Sequence, residues 1–202
     1  MIGISRDAGL LVLTLRRPEK ANSLTKSMLE DLDAAVAGCD APALILTGEG
    51  RVFSAGADLD EARAGLATDP VWERLSARIA ALPCLTIAAL NGTLAGGAMG
   101  MALACDLRLA VPGAKFFYPV MKLGFLPQPS DPARLLALVG PARAKLLLMA
   151  GAKIDADEAL NWGLIDRVIA PDLLLETAHA LAADAVAAKP GHGAAIKAML
   201  RG

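Results

Sequence analysis

Ser54-Ala-Gly-Ala-Asp-Leu59 and Asn91-Gly-Thr-Leu-Ala-Gly-Gly-Ala98 decide how this chain reads. Each is a run of small residues that follows an apolar, strand-like stretch and opens a helix-like one. Ahead of the first stands Ala43-Leu-Ile-Leu-Thr47, a short apolar strand of the type buried on both faces of a parallel sheet. Ahead of the second stands Leu85-Thr-Ile-Ala-Ala-Leu90. A small-residue turn at such a junction leaves backbone N–H groups free and lets a ligand come close to them. The positive end of the helix dipole adds an attraction for negative charge. Two such turns facing each other would hold one anionic oxygen from both sides, which suits an enolate better than a phosphate. The donors on this reading are the N–H of Ala57, beside the helix capped by Asp58, and the N–H of Gly97, at the start of the helix through Met99. The glycines also have a packing explanation, since Gly92, Gly96 and Gly100 recur at every fourth residue and would let helices approach closely.

Outward from these turns, strand and helix signals alternate, which predicts an α/β fold. Leu11 to Leu15 reads as a strand ended by Pro18, and Ser23 or Thr25 caps a helix with Met28, Leu29, Leu32, Ala35 and Val36 on one face. A polar helix is expected from Asp58 to about Ala67, and another carries Trp72, Leu75, Ile79 and Leu82 up to Pro83. Strands are expected at Asp106 to Val111 and Lys115 to Tyr118, and a loop from Pro127 to Pro132. Helices follow at Ala133 to Leu138 and Pro141 to Ala150. A further one, capped by Asp155 or Asp157, ends at Gly163. Leu164 to Ile169 is a last strand, Leu174, Ala178, Leu181 and Ala185 mark one more helix face, and a final helix runs to the terminus. No linker or repeat interrupts the 202 residues, so a single domain over 1–202 is expected.

Composition narrows the function classes. Twenty Lys and Arg face 21 Asp and Glu, which gives no basic field for nucleic acid. Three scattered cysteines and two histidines form no metal-ligating cluster, so no metal site is expected, and free thiols suit a reducing cytoplasm. Leu10 to Leu15 is too short and wrongly flanked for a secretory signal. Leu85 to Cys105 is uncharged and long enough to span a bilayer, but the glycines and Asn91-Gly92 in its middle favour strand-turn-helix over a membrane span. The glycines do not spell a dinucleotide fingerprint, and no Gly-Lys-Ser/Thr triplet marks a P-loop.

Taken in order, the motifs resemble the crotonase superfamily, the enoyl-CoA hydratase/isomerase family. The resemblance is carried by Arg17-Pro-Glu-Lys-Ala-Asn-Ser-Leu-Thr25, by Ala43 through Leu59, and by Ile87-Ala-Ala-Leu-Asn-Gly92 with Gly96-Gly97. Ala104-Cys-Asp-Leu107, Gly151 through Leu160 and Trp162 through Val168 complete it. It implies a spiral of ββα units and an acyl-CoA thioester as substrate, with coenzyme A as part of that substrate and no separate cofactor. It implies that the N–H groups of Ala57 and Gly97 hold the thioester oxygen. It also implies that Lys20, Ala21 and the loop Ser54, Ala55, Gly56, Ala57, Asp58 and Leu59 contact the adenine and pantetheine parts. Members are commonly trimers or paired trimers, so a homo-oligomer is expected.

The chain departs from the family pattern where proton transfer is concerned. The two positions that carry glutamates in hydratases read Gly100 and Val120, neither of which moves a proton. Loss of such groups costs about 10²–10⁴-fold each, so ordinary hydratase activity is not expected. The reactions left open are those that run through a thioester enolate, with an inactive acyl-CoA-binding or assembly paralogue as the alternative. Other members place an aspartate where this chain has Gln128, which is left to hold a polar group or a water. Asp131 lies three residues on, and it is a candidate catalytic group if the loop bends inward and an N-cap of the following helix otherwise. Tyr118 offers a hydrogen-bond donor, although a strand tyrosine usually packs, and Glu61 is expected to be a solvated helix residue. Family members continue past the stretch matching Ala182 to Lys197, so a more open pocket, or one covered by a neighbouring subunit, is expected.

Overall fold

The computed structural model describes residues 1–7 and 9–200. Strands β1 (Ile2–Asp7) and β2 (Leu10–Leu15) pair antiparallel. After them come α1 (Lys26–Ala37), β3 (Ala43–Gly48), β4 (Val52–Ser54), α2 (Leu59–Arg63) and α3 (Val71–Ala81). The chain continues through β5 (Leu85–Leu90), β6 (Thr93–Ala95) and α4 (Met99–Leu103), then β7 (Leu107–Ala110), β8 (Lys115–Phe117), α5 (Val120–Leu123) and α6 (Asp131–Leu148). The last elements are β9 (Ile154–Asp155), α7 (Ala156–Trp162), β10 (Arg167–Val168), α8 (Leu174–Ala187) and α9 (His192–Met199).

Among the described residues the strands form two sheets, ordered β1-β2-β3-β5-β7-β10 and β4-β6-β8-β9. Three successive units, opening at β3, β5 and β7, place their first strand in the large sheet and their second in the small one, and helices then follow. Each unit advances one place in both sheets, which is the spiral of ββα units that the family resemblance implies. Strands β2, β3, β5 and β7 run parallel, with Leu13 beside Leu46, Ile45 beside Ile87 and Ala89 beside Leu109. Ile45, Ile87, Ala88, Ala89 and Leu90 have no exposed surface. That burial on both faces is why these segments read as unbroken apolar runs.

Helix α1 starts where Thr25 Oγ1 accepts the Met28 N–H at 3.2 Å and buries Met28, Leu29, Leu32 and Val36. It lies against α3, which buries Val71, Trp72, Leu75 and Ile79. Asp33 pins the two together, with Arg74 Nε at 2.9 Å and Arg78 Nε at 2.7 Å.

The structure corrects several expectations. The helix expected to reach Ala67 ends at Arg63, because Gly65 turns the chain at φ +111° and a 3-10 turn follows at Leu66–Thr68. The two helices expected after Pro132 begin two residues earlier and join as α6, bent at Gly140 (φ 76°, ψ 171°) ahead of Pro141. Only Arg167–Val168 of the strand expected at Leu164 to Ile169 is paired. Asp155 does cap α7, through the Glu158 N–H at 3.0 Å. Cys39 and Cys84, distant in sequence, are neighbours in space, and the Cys84 thiol lowers the proton affinity of Cys39. The final helix ends at Met199, and residues 201–202 lie outside the described residues. Among the described residues no helix is long and apolar enough to cross a membrane, and the uncharged run from Leu85 to Cys105 is divided among β5, β6, a turn and α4.

Candidate active site

The two small-residue turns leave neighbouring strands in the same direction. Strands β4 and β6 pair parallel, Val52 with Thr93 and Ser54 with Leu94, so both chains turn at the same end of the small sheet. There Gly56 (φ +94°) and Gly96 (φ +58°) touch. A Cβ at Gly56 would stand 3.0 Å from the Ala95 carbonyl oxygen, and a Cβ at Gly96 would stand 3.5 Å from the Gly56 Cα. The left-handed backbone and the close approach at Gly56 both require glycine.

The residues that follow these glycines are Ala57 and Gly97. Ala57 forms a parallel bridge with Leu24, in which the Leu24 N–H donates to Gly56 O (2.8 Å) and the Asp58 N–H donates to Leu24 O (2.9 Å). In that pattern the N–H of Ala57 itself faces away from Leu24. Gly97 lies in the 3-10 turn Gly96–Ala98 that leads into α4, where the first N–H groups have no carbonyl of their own helix to meet. Trp72 packs beneath it, so a Cβ at Gly97 would come within 3.2 Å of the indole ring.

The segment 17–24 is strapped to the first turn. The Ala55 N–H donates to Ala21 O at 3.0 Å, beside the Leu24 bridge. Ala21 and Asn22 both adopt φ 50°, a conformation rare outside glycine and asparagine. Asn22, wholly buried, holds it: Nδ2 donates to Glu49 O (2.9 Å) and Val52 O (2.7 Å), and Oδ1 accepts the Arg17 N–H (2.8 Å). Arg17 Nη1 meets Asp58 Oδ2 at 2.7 Å and holds that carboxyl below the usual carboxylate range, while Asp58 Oδ1 accepts the Asp60 and Glu61 N–H groups.

The predicted coenzyme A contacts divide on this framework. Lys20, Ala55 and Leu59 are exposed. The Ser54 side chain is wholly buried, donating to Asn22 O (2.8 Å) and accepting the Gly56 N–H (3.1 Å), so it shapes the turn from behind. Glu61 is a partly exposed residue of α2, and its Oε2 accepts the Lys26 N–H at 2.6 Å, which ties α2 to the start of α1.

Asp131 does not cap a helix. Ser130 occupies the N-cap position without a capping bond, and Asp131 is the first residue of α6, with 0% of its surface exposed. Its Oδ2 accepts the Tyr118 hydroxyl at 2.9 Å, so Tyr118 donates a hydrogen bond as well as packing. Its Oδ1 has no hydrogen-bond partner, with Arg134 Nη1 beyond bonding distance at 3.6 Å. The carboxylate lies flat against Gly100, where a Cβ would meet Oδ1 at 3.0 Å and Oδ2 at 3.2 Å. Burial pushes the carboxyl up to about 6, against the opposing pull of Tyr118 and Arg134. The same burial pushes the Tyr118 hydroxyl up.

Gln128 is half-buried and enters through its backbone, donating its N–H to the Tyr118 oxygen at 3.3 Å and accepting the Asp131 N–H at 3.0 Å. Ser130 ties this loop to Glu73 of α3. Val120 is buried and apolar. The Asn22 scaffold, the Arg17–Asp58 pair, Trp72 beneath Gly97 and Arg134 beside Asp131 are not legible from motif spacing alone. A cavity of ≈ 900 Å³ lies beyond Arg134, between the end of α4 and helices α8 and α9, lined by Leu103, Ala104, Leu181 and Ile196 among others. None of the sequence-predicted site residues lines it, so the site is defined by the turns and the Asp131 cluster.

This combination of a ββα spiral, two adjacent small-residue turns and a strapped loop defines a class. The family model for enoyl-CoA hydratase/isomerase matches residues 5–202. "Probable enoyl-CoA hydratase echA6" of Mycobacterium leprae (strain TN) is 36% identical over 176 residues, covering 83% of this chain and 71% of the relative. "Probable enoyl-CoA hydratase EchA17" of Mycobacterium bovis (strain BCG / Pasteur 1173P2) is 36% identical over 203 residues, covering 96% and 77%. Among solved structures, enoyl-CoA hydratase from Bacillus anthracis superposes with a TM-score of 0.90 at 31% identity, covering 99% of this chain and 82% of that one. The chain belongs to the enoyl-CoA hydratase/isomerase family, whose members act on acyl-CoA.

Proposed function

We propose that the protein binds an acyl-CoA thioester and stabilises its enolate between the N–H groups of Ala57 and Gly97. The observation that carries this reading is the contact between Gly56 and Gly96, which sets the next residue of each turn at one end of the small sheet. Removing a proton beside the thioester carbonyl puts negative charge on its oxygen. Donors fixed beforehand around that oxygen lower the barrier by several kcal/mol, about 3–4 for a single donor. Coenzyme A enters as part of the substrate, along the strapped segment at Lys20 and Ala21 and the exposed rim at Ala55 and Leu59. Water addition is slow, because positions 100 and 120 carry no acid or base. The same two positions favour, as a second reading, a paralogue that binds acyl-CoA without turnover. The working unit is a homo-oligomer, a trimer or a pair of trimers. Supporting this, Met121 (62% exposed), Leu123 (57%) and Leu126 (87%) present apolar surface that a second copy would cover.

A titration with crotonyl-CoA and butyryl-CoA, beside a crotonyl-CoA hydration assay, tests the proposal. Saturable binding with slow hydration is expected. Absence of binding contradicts it, and rapid hydration contradicts the account of Gly100 and Val120.

A further inference from the structure

We infer that Asp131, positioned by Tyr118, is the group that moves a proton to and from the substrate carbon, so that the enzyme works with one carboxylate approaching from α6 rather than from α4. This rests on the acyl-CoA reading and names the chemistry of that same site. Gly97 and Gly100 lie three residues apart on one continuous helical stretch, so they share a face one turn apart. The Asp131 carboxylate rests on that face at Gly100, within one helical turn of the N–H that would hold the thioester oxygen. A side chain at position 100 would fill the same space, so the absence of one there makes room for Asp131.

The bonding state of Asp131 argues against a purely structural role. A capping aspartate would accept the N–H groups at the start of α6, and this one accepts none. A packing aspartate would have both oxygens bonded, because a buried carboxylate without partners is costly. Here Oδ2 is held by Tyr118 while Oδ1, 3.6 Å from Arg134 Nη1, accepts no hydrogen bond and lies against Gly100. The charged and titratable groups that face it are Tyr118 after β8, Arg134 on α6 and Glu73 on α3, and α4 contributes none. Its raised proton affinity suits a base acting near neutral pH.

In the step, Oδ1 takes a proton from the carbon next to the thioester. The C–H electron pair moves into the C–C–O system as an enolate held at Ala57 and Gly97. The carboxyl group then returns a proton to the same carbon, or to a conjugated one, which shifts a double bond. One carboxylate suffices for this, whereas water addition also requires a group to activate the water. The reaction class is therefore proton transfer at carbon: α-proton exchange, and double-bond shift in an unsaturated chain.

The experiment follows deuterium uptake at the α-carbon of butyryl-CoA in D₂O by mass spectrometry, with butyryl-CoA affinity measured in parallel. The native protein is expected to exchange. Asp131→Asn should keep affinity within a few-fold and lower exchange by about 100-fold or more. Tyr118→Phe removes a bond to the ionised carboxylate and should move the acid limb of the exchange–pH profile upward. Asp131→Gly should be inactive, and the double variant Gly100→Glu with Asp131→Gly should regain exchange by returning a carboxylate to the same space. Binding without exchange in the native protein, or exchange undiminished in a folded Asp131→Asn, overturns the inference and leaves the acyl-CoA reading standing. Failure of the native protein to bind butyryl-CoA overturns both.

Discussion

At the residue scale, Asp131 imposes a stability cost that depends on pH. Its carboxyl titrates at about 6 in the folded protein, above the ordinary aspartate value of 3.8, so between these values the folded state binds a proton that the unfolded chain has lost. Stability from this group is therefore greatest in acid and falls as pH rises through that window, by roughly 3 kcal/mol in total. Asp131→Asn removes the dependence. Urea unfolding of both proteins at pH 4.5 and pH 8 checks this: the variant should gain on the native protein at the higher pH, and a gap that does not change with pH would contradict the burial argument. The turn glycines make a second contrast. Gly56→Ala must hold a side chain at φ +94° and 3.0 Å from Ala95 O, a strain of about 1–3 kcal/mol. It should lower both Tm and acyl-CoA affinity. Gly97→Ala has ordinary backbone angles and meets only the Trp72 ring, so a smaller loss of Tm is expected.

At the element scale, the segment before α1 is shaped by Asn22 more than by its own chain direction. Asn22→Ala leaves the Glu49 and Val52 carbonyls and the Arg17 N–H without this partner, at about 1–3 kcal/mol for each group left buried and unsatisfied. Denaturant unfolding should show a loss of several kcal/mol, larger than for Thr25→Ala, which removes one helix cap worth about 1 kcal/mol. The periodic elements were legible in the sequence because one-sided burial leaves its mark every 3.6 residues, as in α1 and α3. Strands of three residues, β4 and β6, leave no such mark, and the neighbour that fixes each lies about forty positions away. For the same reason the turns around Gly56 and Gly96 could be read as ligand-facing, but not as touching each other. Asp131 sits next to Pro132 and looks like a cap. Only the fold brings it to Gly100, whose missing side chain was legible as a loss and is, in space, a vacancy that Asp131 fills.

At the scale of the whole molecule, the register of the two sheets explains why chemistry gathers at one edge. Each ββα unit repeats the same path, so the turns that follow β4 and β6 necessarily leave side by side. Leu136 (49% exposed), Leu146 (44%) and Met149 (61%), on and after α6, are further exposed apolar side chains. Light scattering should find a multiple of the chain mass, and Met121→Asp with Leu126→Asp should shift it toward the single chain without loss of circular dichroism. A native protein that remains a single chain at high concentration would contradict the proposed assembly. The central claim is that one thioester oxygen accepts from Ala57 and Gly97, and difference infrared spectroscopy of butyryl-CoA labelled with ¹³C at the carbonyl tests it most directly. The bound carbonyl stretch should move to lower frequency than in water, and less so in Gly56→Ala, whose strained turn displaces the Ala57 N–H; a bound thioester whose stretch stays at its value in water would contradict the claim.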